Sequence, residues 1–236
     1  LTAAAAPDRI VVAQDGTLTL AARASLEYGG RLRQSGEPWP HLLIGQKLVE
    51  PLQLCAFTAI QFSIEVQVSR CEPPPGVLLE PRRHAAQLLL FLTVQNLRRG
   101  SPTYGDFLWF GIPLFDSRRR HPPAYRAPDT ASGKLIWTAP ADVFTSQTPH
   151  DGGWCRFEAD LRPLMLRAVA EARERGFLLS DLRPEEHSVA ALSLGWELPG
   201  PFDGEIFDGV DGETAAVPAL AGIAFGVLVG QHTALG

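Results

Sequence analysis

The sequence predicts an all-β fold, an antiparallel β-sandwich of jelly-roll type with one amphipathic helix over about residues 161–175. Three observations carry this. From Pro51 to Arg70 apolar residues hold every second position, with Leu52, Leu54, Ala56, Ile60, Phe62, Ile64, Val66 and Val68 on one parity. Gln53, Gln61, Ser63, Glu65, Gln67 and Ser69 take the other, which is the period of a strand, or of two strands joined by a bend, with one face on a core. The 20 Pro and 22 Gly are spread along the chain, as turns between many short strands require. Helical spacing, finally, is convincing in a single stretch.

Taken in order, residues 8–28 hold Asp15-Gly16 between two β-rich runs, the signature of a hairpin. Residues 29–51 carry prolines at 38, 40 and 51, and predict a loop leading into a short strand near His41–Ile44. Trp39, held between two prolines, is either a lid on the core or a platform for a ligand. After the alternating stretch, three successive prolines at 73–75 remove ladder donors and take the chain out of the sheet. Gln87–Asn96 is almost continuously apolar, which predicts a central strand covered on both faces. Phe107–Asp116 is the next strand, with Pro113 marking an edge or a bulge.

A basic, proline-rich loop spans 117–134, and β structure resumes at Leu135. The helix follows residues 154–160. Asp160 is placed to cap it, Pro163 falls in its first turn, and Gly176 stops it. Leu161, Leu164, Met165, Ala168, Val169 and Ala172 form its core stripe. Ser188–Leu198 is another strand, and 203–213 continues as a strand with acidic turns. The apolar run 216–231 is interrupted by Pro218, Gly222 and Gly226, so it predicts a closing strand pair rather than a membrane span. The whole of 1–236 is expected to form one domain, since 45% hydrophobic residues suffice for a sizeable core.

Composition narrows the function classes. A net charge of −5 gives no footprint for nucleic acid, and no insertion into a membrane is expected. Cys55, Cys71 and Cys155 make neither a metal pattern nor a disulfide framework, and are expected as isolated thiols. Small residues near the first position, Leu1, suggest a secreted or periplasmic protein. No G-x-S-x-G, Walker loop, dinucleotide fingerprint or H-E-x-x-H occurs.

The parity of Ser188–Leu198 puts Ser193, Gly195 and Glu197 opposite Ala190, Leu192, Leu194 and Trp196. Glu65 and Glu197 are thus each a carboxylate on the polar face of a core-forming strand. In one curved sheet they would share a cleft, with Gln61, Ser63 and Gln67 beside Glu65 and with Phe91 and Trp109 as aromatic platforms. Two carboxylates across a groove are what glycoside hydrolysis uses. A Glu in a middle strand and another in a late strand resembles the small jelly-roll endoglucanases and xylanases. The sandwich with one helix is similar to concanavalin A-like lectins and carbohydrate-binding modules. This resemblance implies a polysaccharide or oligosaccharide partner, with Glu65 as nucleophile or base and Glu197 as acid/base. The E-x-D-x-x-E signature of laminarinase-like sandwiches is absent. A groove that binds sugar through aromatic stacking without cleaving it stands beside this reading.

A second constellation is Asp116 with Arg118, Arg119, Arg120, His121, Tyr125, Arg126 and Asp129. Its arginines suit the carboxylate of an acidic sugar, and a polysaccharide lyase would use His121 or Tyr125 as base. His150-Asp151 is either a metal-binding pair or a turn. No resident cofactor is expected beyond a candidate Ca²⁺ site in the acidic run Asp203, Asp208, Asp211 and Glu213. The remaining alternative is a structural or assembly domain whose apolar C-terminal run packs on a partner.

Overall fold

Two six-stranded sheets face each other across a core built from both. In this computed structural model the described residues are 8–14, 16–209 and 223–228, with 207–209 and 223–228 described as backbone. The first sheet contains β1 (Arg9–Val12), β2 (Leu18–Arg23), β4 (Ala59–Glu72), β9 (Cys155–Asp160), β11 (Asp203–Gly209) and β12 (Ile223–Leu228). The second runs in the order β3 (His41–Gln53), β10 (Ser188–Glu197), β5 (Gln87–Gln95), β6 (Phe107–Asp116), β8 (Leu135–Thr138) and β7 (Tyr125–Pro128). Late strands are inserted between early ones in both sheets, β11 between β2 and β4 and β10 between β3 and β5. That wrapping is the predicted jelly-roll sandwich. Every pairing is antiparallel except β6 with β8.

The alternating stretch resolves into two strands joined by a bend. Its first residues end β3, a 3₁₀ turn occupies Leu54–Ala56, and β4 begins at Ala59. The bend falls where Phe57, Thr58 and Ala59 broke the alternation. β3 is longer than the expected short strand, because Gly45 and Pro51 are tolerated on the open edge of the sheet. β4 turns Ile60, Phe62, Ile64 and Val66 into the core, none more than 2% exposed. One edge of β4 carries β9 and the other carries β11 and then β12. The registers on that second edge are consecutive, Gly209 opposite Glu65 and Ile223 opposite Ile64. Of the C-terminal apolar run only Ile223–Leu228 belongs to the described residues, so the predicted pairing within that run lies outside them.

β1 and β2 pair as the predicted hairpin, with Gly16 at φ 88°. β5 is central, between β10 and β6, but only one of its faces is covered, not both as expected: half-buried Phe91, Thr93 and Gln95 alternate with buried Leu90, Leu92 and Val94. Pro113 sits at a bulge, between Leu88 opposite Phe115 and Leu89 opposite Pro113. The three cysteines are free. Trp39 is neither lid nor core. It is 37% exposed, with the Arg33 guanidinium 5.1 Å from its ring.

Beyond the single-turn helix α1 (Ala24–Glu27) that follows β2, the helix α2 (Leu161–Glu174) follows β9 without a loop, because Asp160 serves both elements. Its Oδ1 accepts from the Arg162 amide at 3.1 Å as N-cap and from the Ile60 amide of β4 at 2.9 Å. Leu161, Met165, Ala168, Val169 and Ala172 are buried, and Gly176 ends the helix at φ 74°. Glu171 then fastens α2 to the second sheet. Its Oε2 accepts from Trp137 Nε1 at 2.7 Å and from Arg126 Nε at 3.0 Å, while Arg126 stacks 3.7 Å from the Trp137 ring. Burial works to raise the Glu171 pKa. The hydrogen bonds from Arg126 and Trp137 outweigh it and hold the carboxyl below its usual range. Glu171→Ala leaves the Arg126 Nε–H and the Trp137 indole N–H without their acceptor, though Arg126 keeps the Tyr125 and Thr138 carbonyls, and is expected to cost about 1–3 kcal/mol in urea unfolding.

Candidate functional site

The outer face of the second sheet carries the most concentrated chemistry among the described residues. Trp196 is fully buried and donates from Nε1 to the Leu20 carbonyl across the core, so the next residue, Glu197, points outward. The sheet registers set Glu197 beside His41 of β3 and Gln87 of β5, and Gln87 beside Asp116 of β6. This polar row closes one end of the face. Asp116 is committed within it. Arg118 donates to its two oxygens from Nε at 2.8 Å and Nη2 at 2.5 Å, and Gln87 Nε2 donates at 3.1 Å.

Next along the strands lies a strip of small residues. Its small members Gly45, Ser193, Gly111 and Thr138 share one row across the six strands with the rings of Phe91 and Tyr125, and Gly195 lies two residues along β10. Gly111 is required. A Cβ there would meet Thr138 Oγ1 at 2.6 Å and Phe91 Cε1 at 2.9 Å, so its absence lets the Phe91 ring lie over β6. Beyond the strip stand the rings. Trp109 meets Phe91 edge-on at 6.2 Å and Phe107 at 5.1 Å. Its indole N–H donates to Ser132 Oγ at 3.3 Å, which draws the β7–β8 turn, residues 129–134, onto this same outer face. Inside that turn Ser132 donates to Asp129 Oδ2 from Oγ at 2.5 Å and from its amide at 2.8 Å.

Electrostatics separate the two carboxyls that stay uncommitted to a cation. Burial pushes Glu197 above the usual carboxylate range. His41 opposes the shift, and the Asp129 charge adds to it. Asp129 moves the other way: burial works to raise it, but the Ser132 hydrogen bonds and the Ala131 amide hold it lower.

The structure does not bring Glu65 and Glu197 together. Ile64 and Val66 of β4 face the core, so Glu65 points out of the first sheet, with Gln61, Ser63 and Gln67 on the same outer face. Gln67 Nε2 donates there to the Gly152 carbonyl at 2.7 Å. The two glutamates therefore stand on opposite outer faces of one sandwich. Alternation sets which side of its own sheet a residue takes, and the two strands belong to different sheets. The predicted Phe91, Trp109 and Tyr125 do share a face with Glu197. Arg126 turns inward to Trp137, which leaves its neighbour Tyr125 outward and 55% exposed.

The basic constellation is also revised. Arg118 is held by Asp116, Arg120 by Asp151 and Arg126 by Glu171, which leaves the exposed Arg119 and His121 on a loop and no arginine clamp for a uronate. The lyase reading loses its basis with them. His150-Asp151 is a turn capped by Thr148, with His150 Nε2 3.0 Å from the Asp116 carbonyl. Among the described residues no group of three His, Cys, Asp or Glu side chains could hold a metal. Of the acidic run, Asp203 accepts from Ser25 Oγ at 2.7 Å and pairs with Arg23, and the side chains of Asp208, Asp211 and Glu213 lie outside the described residues. Sequence reasoning missed Gln87, His41 and the Asp129–Ser132 pair. The last was visible as an Asx-type turn at spacing three.

No protein-family description matches the chain, and no curated protein does. Among solved structures it is similar to the endoglucanase Cel12A of Rhodothermus marinus, at 12% identity and TM-score 0.48 over 93% of this chain and 85% of that one. It is similar to a family 12 xyloglucanase of Bacillus licheniformis at 10% identity and TM-score 0.47, over 94% and 98%. The family 11 xylanase of Neocallimastix patriciarum gives 11% and 0.39, over 84% and 81%.

Two outcomes follow from this geometry. Gly111→Ala forces Phe91 off β6, and is expected to cost about 1–3 kcal/mol by denaturant unfolding while changing the Trp109 fluorescence environment. Glu197 gives a pH signature. Below its ordinary value of 4.5 it is protonated folded or unfolded, so its burial costs no stability there. As pH rises from that value through its raised folded value, the unfolded chain loses the proton first and stability falls. Glu197→Gln removes this loss, so its melting temperature should match the parent below pH 4.5 and exceed it at pH 8.

Proposed function

We propose that this protein holds a polysaccharide chain along the outer face of its second sheet and cleaves it, with Glu197 as proton donor. The observation that carries this reading is the placement of one desolvated carboxyl, Glu197, at the end of a strip of small residues whose other end is walled by aromatic rings. Sugar rings present apolar faces that stack on Phe91 and Trp109, and hydroxyls that Gln87, Ser193 and Thr93 suit as hydrogen-bond partners. Gly45 and Ser193 leave room for a polymer to lie close to the backbone, whereas Gly195 is needed by β3, whose Leu42 carbonyl occupies the place a Cβ would take. A carboxyl whose burial favours its protonated form is suited to give that proton to a leaving glycosidic oxygen. A polysaccharide is met outside the cell, so export to the periplasm or beyond belongs to the same proposal. No helix among the described residues is long and apolar enough to cross a membrane.

A second reading, sugar binding without cleavage, is favoured by one observation: the predicted partner Glu65 is on the far face, and Asp116 is spent on Arg118 and Gln87. The two readings separate on soluble β-glucans and xylans. Reducing-end release by the parent protein, lowered at least about 100-fold in Glu197→Gln, supports cleavage. Trp109→Ala should weaken retention in polysaccharide-containing native gels by about tenfold under either reading. Retention by the parent with no reducing-end release on any of these polymers would leave a binding protein.

A further inference from the structure

Strand pairing sets one titratable side chain directly beside Glu197. In the β3–β10 register His41 stands opposite Glu197, and Leu42, one residue on, stands opposite Trp196. Leu42 and Trp196 both turn to the core, so His41 and Glu197 share the outer face. Side chains directly opposite on antiparallel strands have Cβ atoms about 4.5–5.5 Å apart. The two strands are held firmly here. One rung beyond the pair, the Leu198 amide donates to the Pro40 carbonyl at 2.9 Å. Two residues back along β10, the Leu42 carbonyl occupies the place where a Cβ on Gly195 would sit, so β3 lies close against β10.

The remaining neighbours of Glu197 are uncharged, anionic or already engaged. Gln87 of β5 carries no charge and donates from Nε2 to Asp116. Asp116 of β6 has its own counter-ion in Arg118, and His150 meets Asp116 at the backbone carbonyl. The Asp129 charge opposes ionisation of Glu197 rather than favouring it. Past the end of β10, His84 is buried between the Glu80 amide and the Arg33 carbonyl. β3 is the open edge of the sheet, so no strand lies beyond His41, which is exposed to solvent.

We propose that His41 is the charge partner of Glu197, a positioning residue that governs how readily this carboxyl gives up its proton and so sets the pH range in which the groove works. Histidine is the side-chain type whose charge changes between about pH 5 and 8. As imidazolium, His41 favours the carboxylate that proton donation leaves behind. As neutral imidazole it withdraws that support, and burial then keeps the proton on Glu197. The influence of His41 on Glu197, opposite in sign to that of burial, agrees with this arrangement.

The pairing stands on the register, and its part in turnover rests on the cleavage reading. In that reading Glu197 begins each cycle protonated, becomes a carboxylate when the leaving oxygen takes the proton, and regains one from solvent. A cation on the adjacent strand eases the ionised stage, whereas a permanent one would strip the proton before substrate arrives. Histidine serves both needs, because it yields its charge as pH rises.

The test uses the intact chain with His41→Gln, which removes the charge, and His41→Lys, which keeps it throughout. Carbon-13 titration of the Glu197 carboxyl reads the coupling directly. Its midpoint should rise in His41→Gln by roughly 0.1–0.7 of a pH unit, the range implied by a cross-strand pair of opposite charges, and stay at or below the parent's in His41→Lys. A midpoint that fails to rise in His41→Gln, or that rises in His41→Lys as well, overturns the proposal. On whichever soluble β-glucan or xylan the parent cleaves, the alkaline limb of kcat should move to higher pH in His41→Gln and not in His41→Lys, with KM within about twofold. Limbs that coincide in all three proteins overturn the part in turnover, while Glu197→Gln judges the cleavage reading separately. If the parent cleaves no polymer, that part falls with the cleavage reading, and the titration still decides whether His41 is the charge partner.

Discussion

Each sheet of a sandwich has one dry face and one wet face, and sharing a core forces the two wet faces to point apart. This constraint governs the chemistry of the protein more than any single contact does. Ile60, Phe62, Ile64 and Val66 from one side and Leu88, Leu90, Leu194 and Trp196 from the other meet in the middle. Every polar residue that alternates with them is sent outward, Glu65 in one direction and Glu197 in the other. Of the two faces, the one with Glu197 also holds the rings of Phe91, Trp109 and Phe107. The one with Glu65 holds glutamine, serine and ion pairs such as Arg156 with Glu158, which need only water.

What covers the second sheet from inside is equally specific. The first sheet supplies β4 and β9, and α2 packs beside them against β4, β6 and β8. The helix must therefore present a carboxylate inward without stranding it. Glu171 does so by meeting Arg126 and Trp137 at once, and the same meeting withdraws Arg126 from the outer face. Interior anchoring and surface chemistry are thus coupled through one arginine, whose neighbour Tyr125 is left facing solvent.

Period-two patterns in β4 and β10, the bend between β3 and β4 and the cap at Asp160 were readable from residues alone, because each depends on local pleat or helical geometry. The face occupied by a side chain within its own strand was equally readable. What could not be read was which strand joins which sheet, since that depends on pairings between residues more than a hundred positions apart. The proposed pairing of Glu65 with Glu197 failed at that step and nowhere earlier. Phe91 and Trp109 share the Glu197 face through the parity of their own strands, while Tyr125, read as a loop residue, joins that face because 125–128 is a strand. Asp116 looked like part of a basic, ligand-facing loop because sequence cannot show that Arg118, two residues on, folds back to occupy it.

The consecutive registers along one edge of β4 carry a consequence of a different kind. Gly209 leaves that edge opposite Glu65, and Ile223 returns to it opposite Ile64, so the chain departs and re-enters at neighbouring rungs of one ladder. Closing a loop costs little more as it lengthens when its ends are already held together, each doubling adding only about 0.6 kcal/mol. By that scaling a module inserted between these two rungs would leave the ladder on either side intact, on the sheet opposite the one that carries Glu197.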